Sequence, residues 1–187
     1  LAPERGYIAT ANNAQTREPV GRLVTDGNWF GSSPYRAQRI SELLEASEKH
    51  DAASLLAIQM DVHSVLVDRY LDDAVAAFRG AGLEELATRL DAWDRNETEE
   101  STEATLFYAW WTALRLGFRD RYYGGRQGWF PASMVEQALD GALPLPPGVA
   151  EDAARSAEAY ADMPWGEAHT LTLDHPLSSV PVAGRLF

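Results

Sequence analysis

Thr102 to Arg119, TEATLFYAWWTALRLGFR, decides the fold. Leu106, Phe107, Trp110, Trp111, Leu114, Leu116 and Phe118 leave this stretch almost no polar face, and a helix apolar all round belongs at the centre of a body of helices. Trp110 and Trp111 are therefore read as core before they are read as a ligand box. Working backwards, the acidic run from Glu97 to Glu103 is a solvated linker whose charge favours the N-terminus of the helix that follows it. Leu83 to Trp93 forms an amphipathic helix with Leu86 and Leu90 inward. From Asp51, the spacing of Leu55, Ile58, Val62, Leu66 and Tyr70 continues through Leu71 and Ala74 to Phe78, which predicts one long helical stretch stopped by Gly80 and Gly82. His63 falls on the flank of that stripe as a boundary histidine. Ser33 as N-cap and Pro34 in the first turn open an earlier helix that runs to about Ser47.

Working forwards, Tyr122 to Trp129 is a Gly-rich turn, Ala132 to Leu139 a short helix, and Pro144 to Pro147 a rigid connector. A last helix runs from Val149 to about Ala161. The ends read differently. Tyr7, Ile8 and Thr10 favour an extended strand over residues 1–12, closed by the turn formers Asn12 and Asn13. A loop rich in Gly, Asn, Ser and Pro then reaches Pro34, and its Trp29 and Phe30 either line a pocket or plug the core. After Pro164, His169, Leu171 and Leu173 alternate with Thr170 and Thr172, so residues 165–187 read as strand-like, with His169 packed inward against Trp165. The expected fold is mainly α: a single segment, residues 1–187, helical over 34–162 with short flanking strands.

Composition narrows the function. The 187 residues are 45% hydrophobic, enough for one domain with a sizeable core. A formal charge of -12 disfavours nucleic-acid backbones, which need clustered cations. No apolar run approaches the roughly 20 residues of a membrane span. The absence of cysteine excludes disulfides, thiolate chemistry and cysteine-ligated metals. His50, His63, His169 and His175 show no ligand spacing, so no histidine-bound metal is expected.

Two positions carry candidate chemistry. Asn12 stands at a strand end, where its amide either bonds the local backbone or points into a cleft. Arg36, with Ile40, Leu43 and Leu44, sits at i, i+4, i+7 and i+8, in the middle of an apolar helix face. A guanidinium there needs acceptors, either in a buried structural ion pair or in an active site. Arg39, Glu42 and Glu45 fall off that face and read as solvated charge.

GYIATANN (residues 6–13), the run Tyr35 to Leu44, Ala57-Ile58-Gln59-Met60-Asp61-Val62, Ala92-Trp93-Asp94, Trp165-Gly166-Glu167-Ala168-His169 and Asp174-His175-Pro176-Leu177 together resemble the penicillin acylase family of N-terminal-nucleophile hydrolases, in an internal part of its β chain. The resemblance implies part of an αββα enzyme that cleaves linear amides: penicillins or cephalosporins, lipopeptides or acyl-homoserine lactones. It implies a serine at the first position of the β chain, activated by its own α-amino group. Position 1 here is Leu1, so the chain reads as a fragment without the nucleophile. By the same resemblance Asn12 donates to the oxyanion, Asn13 is structural, and Arg36 belongs to the active-site surroundings. The implied partners are the remaining α- and β-chain segments and a small amide substrate, in the periplasm or outside the cell. No cofactor is needed for the chemistry; some members carry calcium, and Asp26 lies in the loop that could offer a ligand, but no metal site is assigned. The rival class is a non-catalytic acidic helical interaction module.

Overall fold

The computed structural model describes residues 3–11, 34–124 and 132–171. In these, α1 (Tyr35–Glu45), α2 (Ala52–Gln59), α3 (Val65–Gly80), α4 (Glu84–Asp91), α5 (Thr102–Tyr123), α6 (Ala132–Leu139) and α7 (Val149–Ala157) are followed by a 3-10 turn (Glu158–Tyr160) and α8 (Trp165–Ala168). The architecture is mainly helical, as the sequence indicates, and no helix among the described residues is long and apolar enough to cross a membrane.

α5 is the axis of the body. The Ser101 hydroxyl accepts the Ala104 backbone N–H at 3.0 Å and so caps its start. Gly124 ends it in the left-handed conformation, φ 60. No breaker stands between Arg119 and Gly124, which is why the helix outlasts its expected end. Leu106, Phe107, Trp110, Leu114 and Phe118 are fully buried and Trp111 nearly so. They meet Val67, Tyr70, Leu71, Ala74 and Phe78 of α3, Leu90 of α4, and the small residues Ala153, Ala154 and Ala157 of α7 in one core. The α5–α7 approach is close: a Cβ on Gly117 would stand 3.0 Å from Val149 Cγ2. The Trp110 indole N–H donates to the Ala150 carbonyl at 3.2 Å, satisfying the polar atom of a buried ring.

Three expectations need correction. The stretch from Asp51 to Phe78 is two helices rather than one. Asp51 and Ser54 form a reciprocal capping box that opens α2. At residues 60–64 the backbone then bonds elsewhere, with Glu97 N–H donating to the Val62 carbonyl at 2.9 Å and Ser64 N–H to the Arg95 carbonyl at 3.1 Å. An isolated antiparallel bridge pairs His63 with Asn96. With the helix broken there, α2 turns away from the core. Leu55 and Val62, expected inward, are 49% and 44% exposed.

The flanking strands are absent among the described residues. Tyr7 to Thr10 has no neighbouring strand to complete a ladder, and an isolated strand leaves its backbone groups unpaired. At the other end, Trp165–Ala168 is a helical turn. Trp165 N–H donates to the Ser101 carbonyl at 3.0 Å and Gly166 N–H to the Glu99 carbonyl at 2.8 Å, docking α8 on the entry to α5. The approach is close at Gly166, where a Cβ would stand 3.2 Å from Glu99 Cβ and 3.3 Å from its carbonyl oxygen. His169 stacks on Trp165 with ring centroids 4.5 Å apart, but it is exposed and does not face the core. Asp174, His175, Pro176 and Leu177, like Trp29, Phe30, Asp26 and Gly125 to Trp129, lie outside the described residues.

Candidate functional site

Arg36 lies in the first turn of α1, and its Nη2 donates to the Ala11 carbonyl at 2.9 Å. Ala11 is 3% exposed, so the acceptor is sheltered although the guanidinium is not. Asn12, the next residue in the chain, lies outside the described residues, as does Asn13. The N-terminal segment is tethered a second time where the Tyr7 hydroxyl donates to Glu45 Oε1 at 2.6 Å. The two tethers use opposite ends of α1, and this helix therefore holds the segment from Tyr7 to Ala11 at both ends.

Of the two settings open to Arg36, a buried ion pair is not what the described residues show: its acceptor, the Ala11 carbonyl, is sheltered, but the guanidinium is not. Arg36 is exposed, and α1 has no buried residue at all. The stripe of Ile40 and Leu43 faces instead into an open cleft of ≈ 1210 Å³ between α1, α2 and the start of α3. Leu55, Leu56 and Val62 form the opposite apolar wall; Arg36, Arg39, Asp61, His63, Glu97 and Tyr108 supply its polar groups.

The reading of Arg39 as solvated charge is also corrected. Its Nε and Nη2 donate to Asp61 Oδ2 and Oδ1 at 2.8 and 2.7 Å, a two-bond fork in which both side chains are less than a third exposed. Helical periodicity missed it because the partner stands where the predicted helix breaks. The hydrogen bonds from Arg39 hold the Asp61 carboxyl below its usual range, and those to Asp61 raise the Arg39 pKa. Further along, His63 Nε2 donates to Asp68 Oδ2 at 2.8 Å, and Asp68 pairs with Arg95 at 3.4 Å. Arg95 takes φ 65, a left-handed conformation that costs a non-glycine residue roughly 1–2 kcal/mol. The Tyr108 hydroxyl donates to Glu97 Oε1 at 2.6 Å and lies 3.1 Å from Ser64 Oγ. Burial and then the Glu97 charge push its pKa up.

Chemically, the cleft offers fixed charges and oriented bonds. Asp61 stays ionised and Tyr108 stays protonated through the neutral range, so neither is poised to shuttle a proton. Among the described residues no group of three or more His, Asp or Glu is arranged to hold a metal ion.

The Arg39–Asp61 fork gives a first prediction. Arg39→Ala should destabilise the protein by about 1.5–3 kcal/mol, the range for hydrogen bonds to charged groups, and more than Arg36→Ala does, read as the shift of a urea or thermal transition. Because the folded pKa of Asp61 is depressed, its contribution is fully present above the unfolded value near 4. It fades as pH falls through the folded value. The stability gap between wild type and Asp61→Asn should therefore close on acidification below about pH 4. A gap that persists unchanged at acid pH would show that the fork contributes nothing electrostatic.

No solved structure matches the chain. An acyl-homoserine lactone acylase of Pseudomonas aeruginosa, QuiP, is 29% identical over 122 residues, covering 57% of this chain and 14% of the relative. The chain thus spans a small part of that relative's length. The sequence model of the penicillin amidases matches residues 1–187, the full extent of the sequence, and the chain belongs to the penicillin amidase family.

Proposed function

We propose that this chain is the helical part of the β chain of an N-terminal-nucleophile amide hydrolase of αββα architecture, which releases an acyl chain from a β-lactam, a lipopeptide or an acyl-homoserine lactone. The single observation that carries the reading is the 2.9 Å bond from Arg36 to the Ala11 carbonyl. It ties the guanidinium expected near the active site to the residue preceding the amide expected to serve the oxyanion. In this reading Asn12 gives its side-chain N–H to the tetrahedral intermediate. Arg36, permanently charged, orients the strand end and contributes a positive field without transferring a proton. The nucleophile is a serine on another segment, at the first position of the β chain.

Family membership and the acylase relative support amide hydrolysis. The apolar surface of α2, where Leu55 and Leu56 are 49% and 57% exposed, fits a helix covered by further segments of the enzyme. The enzyme would work in the periplasm or outside the cell.

The test is direct. The whole hydrolase carrying this sequence, assayed on a phenylacetyl anilide, a penicillin, an N-acyl-homoserine lactone and an N-acyl peptide, should liberate the carboxylic acid from at least one. The isolated 187-residue chain should liberate none above background. If the whole protein cleaves no amide, the rival reading of an acidic interaction module takes over.

A further inference from the structure

We propose that the Arg39–Asp61 pair is a positioning device for the reaction, fixing the rotation of α1 so that Arg36 keeps hold of the Ala11 carbonyl; the inference rests on the role of Arg36 given above. α1 has no buried residue: Tyr35 at its start packs edge-on against Tyr70, ring centroids 6.4 Å apart, and donates to the Tyr70 hydroxyl at 3.2 Å, while the following turns are only partly covered. A helix held by half-covered side chains can roll by a few tens of degrees at little cost. Such a roll carries a guanidinium tip through several ångströms.

Beyond the contact of Tyr35 with Tyr70, what opposes the roll is polar. Arg39 is three residues after Arg36, one helical turn further on and adjacent to it on the helix surface, at the edge of the face that Arg36 occupies. Its two-bond fork to Asp61, at 2.7 and 2.8 Å, is directional in a way a single contact is not. Asp61 in turn belongs to a stiff segment. The backbone bonds of Val62 and Ser64 to Glu97 and Arg95 lock residues 61–64 to residues 94–97. Ser64 and Glu97 then converge on the Tyr108 hydroxyl, at 3.1 and 2.6 Å. Tyr108 projects from α5, whose neighbouring Phe107 is fully buried in the core. Short bonds therefore tie the central helix through Tyr108 to Glu97 and Ser64, the backbone of residues 61–64 carries the path to Asp61, and the fork carries it on to Arg39 and along one helical turn to Arg36 and Ala11. The core of the helical body is coupled to the chain at the proposed reaction centre by this route.

The experiment uses the whole hydrolase on whichever amide it cleaves, at a temperature where every variant is folded. Arg39→Gln and Asp61→Asn should each lower kcat by about 10- to 100-fold, the scale of a misplacement near 1 Å, with KM little changed. The double variant should be no worse than either single one, since both break the same fork. Arg39→Lys, which keeps the charge and one bond, should recover part of the rate. Arg79→Gln, which breaks the exposed pairs to Glu84 and Asp91, is the control and should leave kcat unchanged. A merely structural fork would lower the melting temperature and spare the kcat of the folded enzyme, and that result overturns the proposal. So does an equal loss in Arg79→Gln. If Arg36→Gln is impaired while the two fork variants turn over normally, only the positioning role fails. If Arg36→Gln itself retains full kcat, the role of Arg36 falls and the positioning role with it.

Discussion

Trp110→Ala is expected to cost about 3–5 kcal/mol of folding stability, the range for truncating a large buried aromatic. The ring is fully buried and lies within 5.7 Å of Phe107 and 6.1 Å of Trp111, centroid to centroid. Its indole N–H is bonded to the Ala150 carbonyl, so alanine removes both the packing between α5 and α7 and the polar tie across it. The surrounding helices cannot close the gap without moving α7, whose approach is already limited by the contact of Gly117 with Val149. Against a total stability of about 5–15 kcal/mol, this is a large share. At about 2–4 °C per kcal/mol for a chain of this size, the melting temperature should fall by roughly 6–20 °C. Leu116→Ala on the same helix, at a residue 46% exposed, is the comparison and should cost under about 1 kcal/mol. Urea denaturation of both variants checks the result; equal midpoints would show that α5 is not the axis of the body.

The contrast between Trp110 and Leu55 explains what the sequence revealed. Around α5, apolar residues are so dense that any helical phase buries most of them, and Phe107, Trp110, Leu114 and Phe118 are recognisable as core without knowledge of their neighbours. From Leu55 to Phe78 the pattern has the right period, but the helix is interrupted by backbone bonds to Arg95 and Glu97, roughly a helix and a half downstream. No local signal reports a partner at that distance, so the phase is carried across a break that resets it. Leu55 and Val62 end up lining a cleft, whereas Tyr70 and Phe78, beyond the break, are buried as expected.

The candidate site divides in the same way. The geometric argument for Arg36 counted only positions on its own helix and asked for acceptors; α1 lies at the surface, and the guanidinium finds a sheltered carbonyl of a distant segment. Arg39 is the converse case. One position off the apolar face, it looks solvated by period alone, and only the three-dimensional path of residues 60–64 brings Asp61 to it. The described parts of the expected strands, residues 3–11 and 165–171, are not strands here: alternation states a preference for extended backbone, while a ladder forms only when a neighbour accepts its bonds. Tyr7 to Thr10 finds no such neighbour among the described residues, and its tethers are the side chains of Arg36 and Glu45.

Asn12→Ala should lower the kcat of the whole hydrolase by about 10² to 10³, or about 2.7–4 kcal/mol of transition-state stabilisation, the effect of deleting one oxyanion donor. The argument begins from the charge that appears on the substrate oxygen when the amide carbonyl becomes tetrahedral. A donor placed for that oxygen bonds the neutral carbonyl weakly and the oxyanion strongly, so its loss falls on kcat and leaves KM nearly unchanged. The choice of Asn12 rests on the family resemblance; the preceding residue, Ala11, is almost fully buried and its carbonyl accepts from Arg36. Asn13→Ala should do less, since its role in this reading is structural. Steady-state kinetics of both variants on a chromogenic amide, with the thermal transition followed in parallel, separates the possibilities. A loss of kcat in Asn12→Ala at unchanged stability supports the assignment. A normal kcat, or a loss accounted for by unfolding, removes Asn12 from the mechanism, and the Arg36–Ala11 bond then serves only to fasten the N-terminal segment to α1.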